Sequence, residues 1–334
     1  MSKLIIFDAD SIIFTVAWKY RTRKSSNIIK LNTNKFITDV LSHTNADDYI
    51  GFYGAKDPND PNFRYKIDPQ YKANRPETPE FVVKWGPVIT DIFKDNWGFV
   101  PVTGMEADDA VAITVNKYKD EYDEIVVATF DKDLKTIPNI TWYNMKKHES
   151  LAVSEFEAAR FFYTQQLMGD TSDNIPGLPG IGEKTAPKLL KDCTNIYSLF
   201  RTTASEYKNS YNKLKESILV NTIKDIKEKL TELDSDTLAL YQGLTNAKLE
   251  RKIRILEDAF ITERVEEKFV GGWKEYFKQQ GSLLRMLTEA PDGNNFVIPD
   301  IQVNPVRKVE QDEVSEEDMV ASIVSEELDD FLTI

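Results

Sequence analysis

The chain has 334 residues, 41% of them hydrophobic and 11% aromatic, with 55 acidic against 42 basic residues and a formal net charge of −13. That length buries a large core and suits about two domains, and no apolar run approaches the ~20 residues of a membrane span, so a helical membrane protein is excluded. The single cysteine, Cys193, excludes an internal disulfide and a cysteine zinc site and suits a reducing cytoplasm.

Lys3–Phe7 reads as a buried strand, too short for a signal peptide and interrupted by the acidic loop Asp8-Ala9-Asp10. A helix is expected over 34–44 and a strand over Asp48–Phe52. Residues 55–79 are polar, carry Pro58, Pro61, Pro69 and Pro76, and are rich in Lys, Arg and Tyr. A connection this long inside an α/β domain is usually functional. A helix over 80–95, a strand at Phe99–Val102, a helix over 107–118 and a strand over Glu124–Thr129 follow. That last strand runs into Asp131-Lys132-Asp133. Strands alternating with helices predict a mostly parallel sheet covered on both faces, with its site beyond the carboxyl ends of the strands. After about residue 151 only helices are expected, near 154–168, 183–191, 194–201, 211–233, 249–260 and 273–287. Residues 289–334 hold 13 acidic and two basic residues, a net −11, and read as a disordered tail. The other 288 residues carry only −2, so the acidic balance says little about the ligand of the body.

Acids cluster at element boundaries: Asp8/Asp10, Asp57/Asp60, Glu106/Asp108/Asp109, Asp131/Asp133 and Asp170/Asp173. Singly, each suits a helix cap or a turn. Together they would repel, and a shared divalent cation is the better reading. All-oxygen ligation favours Mg²⁺ or Mn²⁺ over zinc. Only His43 and His148 are available for histidine chemistry, and neither a Ser-His-Asp arrangement nor a P-loop is present. Asp170 and Asp173 lead directly into the Gly/Pro hairpin Ile175-Pro176-Gly177-Leu178-Pro179-Gly180-Ile181-Gly182-Glu183-Lys184-Thr185-Ala186. Its glycines allow close approach of backbone N–H groups to a phosphate strand at a helix N-terminus. A metal-dependent nuclease is the expected class.

In this order the motifs resemble the 5′-nuclease superfamily: flap endonucleases, the 5′-nuclease domain of bacterial DNA polymerase I, and phage 5′→3′ exonucleases. The short-tailed-phage enzymes look nearest, through Ile67-Asp68-Pro69-Gln70-Tyr71-Lys72-Ala73-Asn74-Arg75 and Asp131-Lys132-Asp133-Leu134-Lys135-Thr136-Ile137-Pro138-Asn139. The resemblance covers about residues 3–200, with weaker helical continuity to about 285. It implies an α/β, PIN-like core over 1–150 with a basic arch at 55–79. A helical subdomain over 151–288 would follow, with a helix–three-turn–helix element near 155–191, and then the tail 289–334. It also implies metal carboxylates at Asp8, Glu106, Asp108, Asp109, Asp131, Asp133, Asp170 and Asp173, with Asp10 behind them. One departure stands out: Gly54 occupies the end of the second strand, where the family usually carries Asp. Either Asp57 or Asp60 substitutes from the loop, or one metal is held less tightly.

The implied activity is 5′→3′ exonuclease and flap endonuclease cleavage of DNA in replication or repair, with two Mg²⁺ or Mn²⁺ ions and a phage-encoded enzyme in the cytoplasm of an infected bacterium. Asp131 is expected in catalysis, and Lys72 and Arg75 match family positions that hold the scissile phosphate. Duplex DNA with 5′ ends, nicks or flaps would be held by Arg64, Tyr71 (stacking on an unpaired base), Lys72, Arg75, Gly177, Gly180, Gly182, Lys184, Thr185 and Lys188, with K⁺ at the hairpin in some relatives. Phosphate contacts position without reading sequence, so removal of RNA primers from an RNA–DNA hybrid stays open. So does a structure-specific DNA-binding module with weakened catalysis, which Gly54 motivates. Leu328, Phe331 and Leu332 in the acidic tail suit a groove on a sliding clamp or single-strand-binding protein; solvating disorder is the plainer reading.

Overall fold

The computed structural model describes residues 2–22, 25–231, 262, 264–291, 294 and 296–306. They form two units, one from Met1–Phe63, Pro76–Ala158 and Met286–Ile334, the other from Arg64–Arg75 and Ala159–Arg285.

The first unit is built on β1 (Lys3–Asp8), β2 (Asp48–Gly54), β3 (Val100–Val102), β4 (Glu124–Thr129), β5 (Ile140–Asn144) and β6 (Glu149–Val153), in the order β3-β2-β1-β4-β5-β6. The first five run parallel and β6 returns antiparallel to β5. Side chains alternate across a strand, so the continuous apolar run of β1 feeds both faces. Ile5 and Phe7 join the core under α1 (Asp10–Lys19), α2 (Ser26–Thr44) and α4 (Glu80–Trp97). Leu4 and Ile6 join the core under α5 (Ala107–Tyr118). The chain moves outward from β1 through β2 to β3 and then crosses back to β4 on the other side of β1. That reversal opens the crevice at which doubly wound sheets bind ligands.

Several expectations need correction. α1 was not anticipated beyond the acidic loop Asp8-Ala9-Asp10, and α2 begins at Ser26 rather than 34. β5 and β6 were not anticipated, and they extend the first unit past residue 150. The polar C-terminal stretch does not leave the fold at 289. Met286, Leu287, Phe296, Ile298 and Ile301 pack on the α5 side of the core, and β9 (Gln302–Val303) pairs antiparallel with β2. Apolar anchors spaced through an acidic segment are enough to dock it. Leu328, Phe331 and Leu332, and the helix expected at 249–260, lie outside the described residues.

The second unit contains α3 (Arg64–Ile67), most of α6 (Glu155–Met168), the short hairpin β7 (Gly169–Asp170) and β8 (Ile175–Pro176), α7 (Ala186–Leu189), α8 (Ile196–Thr231) and α9 (Gly272–Leu284). α8 replaces two expected helices with one of 36 residues. Buried Tyr207 donates its hydroxyl to the Gln166 carbonyl at 2.6 Å and packs on Tyr276 and Phe277. Residues 64–75, expected in a basic arch, belong to this unit. No helix among the described residues is long and apolar enough to cross a membrane.

Candidate active site

In the first unit the expected acids share one edge of the sheet. Asp8 closes β1, Asp131 follows β4 by two residues, and Glu106 follows β3 by four. Parallel pairing puts these strand ends on the same side. Asp8 is 6% exposed. Ser11 Oγ and Thr129 Oγ1 both donate to its Oδ2, at 2.6 and 2.7 Å. The same Thr129 hydroxyl accepts the Asp131 N–H at 2.8 Å, so one fully buried side chain ties the ends of β1 and β4 together. Trp142 Nε1 donates to the Asp131 carbonyl at 2.9 Å and Asp133 N–H to Asp131 Oδ1 at 2.8 Å. Burial pushes the Asp8 carboxyl above the usual carboxylate range; the Ser11 and Thr129 hydrogen bonds oppose that rise and the charge of Asp131 adds to it. Among the described residues no Lys or Arg pairs with Asp8.

The Glu106 cluster divides its work. Glu106 is the N-cap of α5 and forms a reciprocal capping box with Asp109, whose carboxylate accepts the Glu106 N–H at 3.1 Å. Asp109 is fully buried and also accepts the Leu287 N–H at 3.3 Å. Capping, set against metal ligation in the sequence, is therefore the observed task of Asp109. Glu106 Oε1 meanwhile takes the Asn62 amide at 3.0 Å, and Asp108 Oδ1 takes the Asp109 N–H at 2.7 Å. The acids expected to substitute for Gly54 are committed to loops: Asp57 accepts the Asn59 N–H at 2.8 Å and Asp60 the Thr103 hydroxyl at 2.7 Å. Asp10 instead reaches the end of β2, where it accepts the Gly54 N–H at 2.9 Å. Among the described residues no three His, Cys, Asp or Glu side chains form a ready-made metal cage.

In the second unit, residues 70–75 are laced to the turn at 171–174. Asp173 receives the Tyr71 hydroxyl at 3.0 Å and Arg75 Nη2 at 2.6 Å, with Lys72 Nζ at 3.7 Å. Asn74 donates to the Thr171 carbonyl at 2.6 Å and Asn174 to the Gln70 carbonyl at 2.7 Å. The sequence pointed to neither asparagine, although an amide that bridges two turns is a common use of Asn. Asp170 accepts the N–H and hydroxyl of Ser172, at 2.8 and 2.5 Å.

Two expected DNA contacts become structural. Tyr71 is 2% exposed, with Lys72 Nζ 4.9 Å from its ring centroid, so it cannot stack on a base. Arg64 is also 2% exposed, its guanidinium donating to the Leu283 and Arg285 carbonyls at 3.0 and 3.1 Å.

The hairpin glycines differ from one another. A Cβ on Gly177 would lie 2.1 Å from the Met168 carbonyl carbon, so this glycine permits two backbones to touch. Gly180 adopts φ +78°, which favours glycine, and Gly182 has open space where a side chain would go. The Gly182 N–H donates to Thr185 Oγ1 at 2.8 Å. Lys184, Thr185 and Lys188 are exposed, while Ala186 and Leu190 are buried beneath them.

Comparison with known proteins matches the chain in two parts. The family model for the N-terminal resolvase-like domain of 5′→3′ exonucleases matches residues 3–161, and the model for their C-terminal SAM fold matches residues 156–267. A 5′→3′ exonuclease of Buchnera aphidicola subsp. Schizaphis graminum is 28% identical over 235 residues, covering 67% of this chain and 74% of its own. DNA polymerase I of Caldicellulosiruptor bescii is 29% identical over 225 residues, 60% of this chain but only 25% of the polymerase. The chain thus spans about a quarter of the length of that relative. The solved structure of the zinc-bound T5 5′-exonuclease has a TM-score of 0.49 at 18% identity, over 85% of this chain and 99% of that one. With both halves of the architecture matched in sequence from residue 3 to residue 267, the chain belongs to the 5′→3′ exonuclease family.

Proposed function

We propose that this chain is a divalent-metal-dependent 5′→3′ exonuclease with flap endonuclease activity. It would hydrolyse DNA phosphodiester bonds at 5′ ends, nicks or flaps, such as arise in replication and repair, leaving a 5′-phosphate and a 3′-hydroxyl. The observation that carries the reading is the Asp8–Thr129–Asp131 linkage at the reversal point of a sheet whose sequence belongs to this family.

The residues fit a hard cation. Every donor is oxygen, and Asp8 is a buried carboxylate held, among the described residues, by neutral hydrogen-bond donors, an environment that favours a positive partner. Mg²⁺ keeps several waters and commonly binds through one or two carboxylates plus substrate phosphate. A preformed cage of three acids is therefore not required. Asp8 and Asp131, with Glu106, Asp108 and Asp133 nearby along the sheet edge, would hold it. When bound, such an ion lowers the pKa of a coordinated water and stabilises charge on phosphate and leaving oxygens.

The remaining chemistry belongs to the chain. Thr129 and Ser11 fix the orientation of Asp8, and Trp142 pins the Asp131 backbone. In the second unit, exposed Lys184 and Lys188 would bind backbone phosphates, and Arg75, half exposed, offers a guanidinium for which phosphate oxygens compete with Asp173. Contacts of this kind select the shape of the duplex end rather than its sequence, and they weaken steeply with salt.

Incubation with 5′-labelled flap, nicked and RNA-primed duplexes, in Mg²⁺, Mn²⁺ or EDTA, tests the reading. Metal-dependent release of 5′-phosphorylated products from the DNA flap and nick is expected. Stable binding of these duplexes without cleavage in either metal would refute the hydrolase.

A further inference from the structure

In the first unit, α1 and α4 cover the same core, and the joint between them leaves rings in solvent. Phe14 and Trp18 stand four residues apart on one face of α1 and are 52% and 51% exposed. Phe81, in the first turn of α4, meets both edge-on, its ring centroid 5.7 Å from that of Phe14 and 5.4 Å from that of Trp18. Cations border the rings. The Arg21 guanidinium lies 4.3 Å from the Trp18 centroid, and Lys19 Nζ lies 5.3 Å from that of Tyr20. Among the described residues neither Lys19 nor Arg21 forms an ion pair. Contiguous exposed rings with a charged rim mark an interaction surface.

The chain carries a segment of the complementary chemistry. Residues 309–334 hold ten acidic and no basic residues, and Leu328, Phe331 and Leu332 lie among Glu326, Glu327, Asp329 and Asp330. The described chain leads this segment to the same face. Met286 to Ile301 pack on the α5 side, and β9 then pairs with the start of β2. Val306, the last described residue, packs against the core under α1, α2 and α4, the core that Phe81 also joins. Asn304, 1% exposed, fastens this crossing by donating to the Ala46 carbonyl at 2.7 Å. Gln302 lies against Gly98, the C-cap of α4. Phe81 sits at the other end of that helix, about 24 Å away at 1.5 Å per residue. Residues 307–327 can reach up to roughly 70 Å, so the aromatic face is well within their range.

We propose that the acidic segment 307–334 docks on this face of its own chain as an autoinhibitory cover. Leu328, Phe331 and Leu332 seat on Phe14, Trp18 and Phe81, and the neighbouring acids face Lys19 and Arg21. α1 starts two residues past Asp8, and Trp18 lies about 12 Å along it from Asp10. The docked acids therefore stand on the unit that carries the strand-end carboxylates. At low ionic strength they repel a polyanion approaching that edge. This last effect rests on the nuclease reading above; the docking itself does not.

The test uses the full chain labelled with 5-fluorotryptophan and followed by ¹⁹F NMR, with Trp18→Phe to assign the Trp18 signal among the five tryptophans. A variant combining Leu328→Ser, Phe331→Ser and Leu332→Ser alters none of the described fold. It is expected to move the Trp18 signal and to raise its H₂O/D₂O isotope shift. A synthetic peptide of residues 321–334 added to this variant is expected to return the signal, with half-saturation below about 1 mM, the local concentration that a short tether supplies. Adding Lys19→Glu is expected to weaken the peptide by about threefold. By anisotropy in EDTA at low salt, the triple variant is expected to bind a nicked duplex at least about threefold more tightly than the wild type, a gain that salt removes. A Trp18 signal identical in wild type and triple variant would overturn the docking. So would a peptide that leaves the signal unmoved at 1 mM. A wild-type signal that varies with protein concentration would give the face to a second copy and overturn the contact within one chain. Unchanged DNA affinity would overturn the autoinhibition and leave the docking standing. A chain that cleaves no DNA would refute the nuclease without touching the fluorine readout.

Discussion

Replacing Gly177 with alanine isolates what the hairpin does for the fold from what it does for DNA. The added Cβ would stand 2.1 Å from the Met168 carbonyl carbon, 2.2 Å from its oxygen and 2.5 Å from the Gly169 nitrogen. These are backbone atoms and cannot rotate away. Ordinary contact begins near 3.4 Å, so the chain leaving β8 and the chain entering β7 must separate by about 1.3 Å to restore contact distance. The hairpin has only two residue pairs, Gly169 with Pro176 and Asp170 with Ile175, and their hydrogen bonds would lengthen together. Overpacking costs about 1–3 kcal/mol and each weakened hydrogen bond about 1 kcal/mol, so a loss of about 3 kcal/mol is expected. Gly182→Ala is the control. Nothing lies within 4 Å of its Cβ, so stability should stay within about 0.5 kcal/mol of the wild type. The new methyl would instead hold a phosphate strand off the loop, weakening binding to a nicked duplex about fivefold, or about 1 kcal/mol. Urea unfolding followed by circular dichroism, with fluorescence anisotropy for DNA in EDTA, reads both quantities. An unchanged midpoint for Gly177→Ala would refute the close approach. Unchanged DNA affinity for Gly182→Ala would refute placement of this loop on the phosphate backbone.

Asp131→Asn should cut flap cleavage by at least about 100-fold, some 3 kcal/mol of transition-state stabilisation, while duplex binding in EDTA survives; undiminished single-turnover cleavage would count against the site. Arg64→Ala leaves the buried Leu283 carbonyl and the part-buried Arg285 carbonyl without their donor, and should destabilise by about 3 kcal/mol without changing DNA affinity per folded molecule, as titration against active-site concentration would show. Burial raises the Asp8 pKa above the ordinary aspartate value, so between the unfolded and the folded value the folded chain holds a proton that the unfolded chain has released. Stability in EDTA must then fall as pH rises through that window, relative to Asp8→Asn, with the penalty complete above the folded-state value. A stability difference between the two proteins that does not vary with pH would show that Asp8 titrates normally.

The fold was legible wherever local pattern and tertiary burial agree. α5 spans Ala107–Tyr118 and β4 spans Glu124–Thr129, as their patterns predict. α1 was hidden because Asp8-Ala9-Asp10 reads as a loop, and because apolar Ile12, Ile13, Phe14, Val16 and Trp18 fall nearly all around the helix. Phe14 and Trp18 remain half exposed, leaving no clean amphipathic stripe. β6 was hidden for the opposite reason. It is an edge strand whose first four residues are exposed, so its sequence Glu149–Val153 shows no alternating apolar face. Neither failure reflects weak propensity. In both, exposure is set by what packs alongside, and a single sequence does not carry that.

Within the site, the sequence indicates which acids lie near strand ends but not what each one bonds. An aspartate that caps a helix, one that pairs with arginine and one that holds an ion are the same letter in the same kind of loop. Their difference lies in the second partner. Asp109 meets the Leu287 N–H, which is distant in sequence and becomes visible only once the C-terminal segment folds back. Asp173 meets Arg75 and Tyr71, across some hundred residues. Asp8 meets neutral donors among the described residues, from Ser11 beside it and Thr129 across the sheet. A buried carboxylate bonded to neutral donors keeps its charge uncompensated, whereas Asp173 has two cations at hand. Burial without a cation among the described residues therefore separates Asp8 from Asp173, and Asp8 is the residue whose sequence context is the least distinctive of the set.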